Sequence, residues 1–202
     1  MQRKWMGDGT ANAIGSLFMA GILIYCWFAR GPDHAVYGLL VAGWTLVLGT
    51  VLAVPLMVRL PERWFRVPAG EHVVHRMLGV SAFNSLLDLS GWNRHLSLPM
   101  RGFNGTKASL RTLELSVRAG ASAHGACFVI HLLLAAFALF TGHRWGAFWI
   151  LLFGVLVHLY PVLLQRSIML RLQPVLDKAR HHRGGPSEIH RVSLEGPRDG
   201  AR

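Results

Sequence analysis

Three histidines stand in long apolar runs. His124 and His131 lie in AGASAHGACFVIHLLLAAFALF (119–140), and His158 lies in FWILLFGVLVHLYPVLLQR (148–166). A polar side chain is costly in such surroundings and marks a candidate site. A neutral imidazole there has three readings: it hydrogen-bonds a backbone carbonyl or another histidine, it handles protons as a general base, or it binds a metal. No Asp, Glu or Cys at suitable spacing supports the last, so no metal and no cofactor are expected. Glu114, Arg118 and His124 are expected to lie near one end of their helix, where Arg166, Asn93 and His95 are candidates to join them. A base beside cationic donors suits chemistry that removes a hydroxyl proton and stabilises a developing oxyanion. The alternative is a solvated pair of Glu114 and Arg118, with Arg166 anchored on lipid phosphate. His72, His75, His181 and His182 read as surface residues. The sequence shows no phosphate-binding glycine loop, GxSxG, HExxH or CxxC.

The elements that position these residues are membrane helices. Residues 145–164 are free of charge, and twenty residues at about 1.5 Å each cross a bilayer core. Similar spans are predicted at about 10–29, 35–58 and 121–140. Gly38, Gly43 and Gly49 mark close helix approach on the second span, and the small residues 120–126 do so on the third. Within the polar segment 59–119, Val73, Met77, Val80, Phe83 and Leu87 form one apolar helical face, which predicts a helix over 71–89 closed by Gly91. Residues 92–105 read as an irregular loop, and a helix is expected from Thr106, its candidate N-cap. Cys26 and Cys127 are expected to be unpaired. The fold class is therefore an all-α integral membrane protein. It has four transmembrane helices in two hairpins and an amphipathic interfacial helix in the central cytoplasmic loop. Residues 1–172 form one membrane domain, and 173–202 are expected to be a basic, disordered tail.

The chain carries a net charge of +11, with 52% apolar and 15% charged residues. Nineteen of its 21 Lys and Arg fall in the N-terminus, the 59–119 loop or the segment after 165, and only Arg30 and Arg144 occupy the two short turns. The positive-inside rule then places both termini and the central loop in the cytoplasm of a multi-pass cell-membrane protein. That distribution suits membrane lipids with anionic headgroups as partners and argues against nucleic acid. The oligomeric state stays open.

The run LYPVLLQR (159–166) with Arg171-Leu172, together with LGV (78–80), the Asn93–His95 neighbourhood and LRTLELSVRAGASAH (110–124), resembles the carotenoid acyltransferase family. The resemblance implies acyl transfer to a glycosylated isoprenoid or other lipid at the cytoplasmic face, in carotenoid biosynthesis. It matches Arg118 and His124 to the Arg and His of the family's third span. The family's carboxylate position falls on Ala121, and two asparagine positions of the last span fall on Gly154 and His158. On this reading His124 is the catalytic base and Glu114 the nearest substitute carboxylate. Arg118, Arg166, Asn93 and His158 contact substrate. The competing expectation is a non-catalytic membrane partner or scaffold of a lipid-pathway enzyme.

Overall fold

The computed structural model describes residues 9–68, 70–106 and 109–184. Among them every regular element is helical. α1 (Gly9–Arg30) and α2 (Ala35–Arg59) form the first hairpin. The segment after it carries α3 (Glu62–Phe65), α4 (Glu71–Met77), α5 (Val80–Leu89) and α6 (Leu98–Arg101). α7 (Leu110–Phe140) and α8 (Arg144–Gly154) form the second hairpin. A π turn at Val155–Leu159 then leads into α9 (Tyr160–Gly184). α1, α2, α7 and the rod 144–178 are each long and apolar enough to cross a membrane. This is the architecture expected of a four-span membrane protein.

Lipid replaces water as the solvent for most of the surface. Phe18, Phe28, Phe137 and Phe140 are exposed, as lipid-facing aromatics should be. Two small cores hold the bundle. At the end carrying the short turns, Leu23, Tyr37, Val41, Ala135, Ala138, Ala147 and Ile150 pack together. At the opposite end, which carries α3–α6, the core is Val67, Leu113, Val117, Met169 and Leu172. α1 leans on α2, with Trp44 Nε1 donating to the Ser16 carbonyl and Oγ at 3.0 Å each.

Glycine permits close backbone contact between helices. A Cβ on Gly38 would sit 2.8 Å from the Trp149 carbonyl carbon, so α2 and α8 touch backbone to backbone. Gly49 faces Cys127 and Ala123, whereas Gly43 has open space around it and plays no such part. Both cysteines are free.

Several elements differ from the sequence pattern. The predicted 71–89 helix is broken at Leu78-Gly79, where Gly79 takes the left-handed φ of 65°. Glycine alone adopts that conformation cheaply, and side-chain periodicity carries no signal of it. The break lets Val80 and His75 turn inward, so His75 is buried against Glu71 at 3.3 Å rather than on the surface. Val73, Val74, Met77, Leu86 and Leu89 remain exposed, which suits an interfacial position. The 92–105 loop contains a π turn (Asn93–Ser97) and α6. α7 starts at Leu110 rather than at Thr106, whose hydroxyl binds Asn104 Oδ1 at 2.7 Å. α9 continues through Pro174 to Gly184, so 173–184 extend the helix, and the rest of the expected disordered tail lies outside the described residues.

Candidate active site

Two of the three histidines, His131 and His158, meet at one hydroxyl, and the third, His124, bonds His158. His131 Nδ1 lies 2.8 Å from the Ile150 carbonyl oxygen, and its Nε2 lies 3.1 Å from Thr45 Oγ1. Thr45 Oγ1 is 2.7 Å from His158 Nε2, and His158 Nδ1 is 3.1 Å from His124 Nδ1. A continuous chain of hydrogen bonds thus links α8, α7, α2, the π turn and α7 again. Thr45 and His131 are 0% exposed, His158 is 1% exposed, and His124 at the end is half-buried.

Local backbone features make this possible. Pro161 has no amide hydrogen to bond the carbonyl four residues back, and the π turn ends two residues before it, at Leu159. The extra residue in that turn changes the facing of the following side chains and brings His158 into the bundle. Gly154 leaves room for His131: a Cβ there would lie 2.7 Å from the His131 Cβ. Cys127 Sγ donates to the Thr45 carbonyl at 3.1 Å, fixing α2 against α7 at the hydroxyl.

A second polar layer closes the loop end of the bundle, and α3 is its hub. Arg118 donates to both oxygens of Glu62, at 2.6 and 2.5 Å, and to Glu114 at 2.8 Å. Its guanidinium also stacks on Phe65, 4.9 Å from the ring centroid. Arg166 grips Glu71 with two bonds, at 2.5 and 2.7 Å, and donates to the Trp64 carbonyl at 2.9 Å. The Arg166 bonds hold the Glu71 carboxyl below its usual range. A cleft of about 490 Å³ opens here, between α3, α7 and α9, with Arg66, Glu114, Arg118 and Gln173 in its walls.

The predicted residues fall into three groups. His124 and His158 are in direct contact. Glu114 is 2% exposed and bonded to Arg118, with Arg111 at 3.7 Å. It lies ten residues, or roughly 15 Å of helix rise, from His124, and the structure does not bring them together. Asn93 bonds Asp88 Oδ1 at 2.6 Å and Asn84 Oδ1 at 3.1 Å, within its own segment. Arg118 is six residues, roughly 9 Å, closer to the loop end than His124.

Sequence reasoning missed Thr45, Glu62 and Glu71. Thr45 is an intramembrane hydroxyl, a class that deserves suspicion, but threonines in helices commonly bond their own backbone. Thr45 does sit 2.9 Å from the Val41 carbonyl oxygen. Nothing in the spacing of Glu62 or Glu71 names an arginine 56 or 95 residues away.

No curated protein and no solved structure matches the chain. The family model described as glycosyl-4,4'-diaponeurosporenoate acyltransferase matches residues 61–178, a stretch that holds all three intramembrane histidines, Arg118 and Arg166. That is more than half of the sequence, and the chain belongs to the glycosyl-4,4'-diaponeurosporenoate acyltransferase family.

Proposed function

We propose that this membrane protein transfers an acyl group to a hydroxyl of a glycosylated isoprenoid or related lipid at its cytoplasmic, loop-end face. The observation that carries the reading is a half-buried imidazole, His124, at the accessible end of a buried hydrogen-bonded chain. An amphipathic lipid puts its polar head near a membrane boundary and its tail among the acyl chains, which suits a base at this depth. In the reaction the sugar oxygen attacks the acyl carbon and its proton passes to His124. The bond to the leaving group then breaks, and the proton follows that group. Arg118 and Arg166 sit nearer the headgroups and supply positive charge for an anionic group of the donor or the lipid. Glu114 holds Arg118 in place, and His158 acts on His124 rather than on substrate. Asn93 orders the segment that covers this face.

The competing reading, a non-catalytic partner of lipid enzymes, draws on one observation: the polar clefts described at the loop end are walled by Arg118 and its neighbours, not by His124. The two readings separate in cells lacking the gene, whose glycolipids and carotenoids are profiled after complementation. Wild-type protein should restore the acylated product, and membrane-inserted His124→Ala should not. Full restoration by His124→Ala would favour the partner reading.

A further inference from the structure

The histidine chain has a direction, and that direction determines which atom of His124 is the base. A carbonyl oxygen only accepts, so the His131 Nδ1 beside the Ile150 carbonyl carries a proton. With one proton per neutral ring, His131 Nε2 is bare and needs a donor. Thr45 is the only hydrogen-bonding partner described for it, and the Val41 and Ala42 carbonyls, 2.9 and 3.0 Å from Thr45 Oγ1, already receive amides of their own helix, so the Thr45 hydroxyl donates to His131. Thr45 Oγ1 must then accept from His158 Nε2–H. That leaves His158 Nδ1 bare, and His124 Nδ1–H donates to it. The opposite direction would turn the Thr45 hydroxyl toward His158 and set a lone pair of its oxygen against bare His131 Nε2, at zero exposure. An unsatisfied buried acceptor costs about 1–3 kcal/mol, so the first direction prevails.

We infer that Thr45, His158 and His131 are positioning residues whose one-way chain holds His124 in the Nδ1-protonated tautomer with Nε2 bare as the base. The inference rests on the reading of His124 as the base, and it deepens that reading. In histidine-dependent acyl transfer an acidic partner usually orients the imidazole through its second nitrogen. Here the bond that a carboxylate would receive is received by His158. During transfer the hydroxyl proton arrives at Nε2 while Nδ1–H stays bonded to His158, and Nε2 later returns the proton to the leaving group. α2 lies outside the family-matched residues, so Thr45 is a contribution of the first hairpin to a site otherwise built from the second.

The test uses the full chain in lipid. Thr45→Val keeps the shape and removes the hydroxyl, which frees His158 to take its other tautomer and push the His124 proton to Nε2. Turnover should fall roughly 10²-fold, within the range a positioned base contributes, with KM little changed, and Thr45→Ser should restore it. Nitrogen NMR of isotope-labelled histidine reads the tautomer without any substrate, with the His124 signal assigned by its loss in His124→Ala. Wild type should show His124 protonated at Nδ1, and Thr45→Val should show it at Nε2. A wild-type His124 protonated at Nε2, or full turnover in Thr45→Val, would overturn the inference. Acylation that survives His124→Ala would sink the base reading instead, while the tautomer still decides the direction of the chain.

Discussion

At the scale of single residues, the two arginines near the headgroup zone are not alike. Arg118 is shared between Glu62 and Glu114, whereas Arg166 ties Glu71 of α4 to α9. Arg166 lowers the Glu71 pKa in the folded protein. The stabilisation from that pair is therefore complete above the unfolded carboxyl value of 4.5 and is lost as pH falls through the lower folded value. Glu71 is 18% exposed in its side chain, and charge-assisted bonds of this kind contribute about 1.5–3 kcal/mol. Glu71→Ala should make α4 detach at neutral pH, seen as roughly ten-fold faster proteolysis at Arg76 and no change at α7. Equal cleavage of variant and wild type would show that other contacts, such as Tyr160 with Leu78, hold α4 by themselves. The histidines were legible because an imidazole is conspicuous in an apolar run. The hydroxyl that joins His131 to His158 was not, because Thr45 looks like any helical threonine bonded to its own turn.

At the scale of elements, uninterrupted apolar length revealed the spans, and the structure reproduces all four. The breaks were hidden. A left-handed glycine between α4 and α5 and a π turn ahead of Pro161 leave the hydrophobic pattern nearly unchanged, yet they decide which way His75 and His158 face. Glycine spacing was an equally partial guide, since Gly38 and Gly43 share a helix and differ completely in surroundings. Gly38→Ala must force α2 away from the Trp149 backbone and should cost about 1–3 kcal/mol as overpacking. Gly43→Ala meets nothing and should be neutral or gain up to about 1 kcal/mol of helix propensity. Thermal unfolding in detergent compares them directly. A Gly38→Ala variant as stable as Gly43→Ala would contradict the close crossing of α2 and α8.

At the scale of the whole molecule, the two hairpins put the polar layer built on α3 and the accessible end of the histidine chain toward the same end of the bundle. From the basic residues flanking the spans we propose that this end faces the cytoplasm. With Cys26 replaced, Gly142→Cys should react with an impermeant thiol reagent in intact cells, and Lys178→Cys should react only after the membrane is opened. The reverse pattern would invert the protein. The family resemblance was legible from the second hairpin and its approach, but the first hairpin lies outside it, and a family pattern cannot announce a residue it does not contain.

The central claim is that His124 is the base of an acyl transfer, and turnover of the purified protein in proteoliposomes tests it most directly. With a glycosylated isoprenoid and an acyl donor supplied, His124→Ala should lower kcat about 10²–10⁴-fold while substrate binding is retained. An unchanged kcat in a correctly inserted His124→Ala protein would contradict the account.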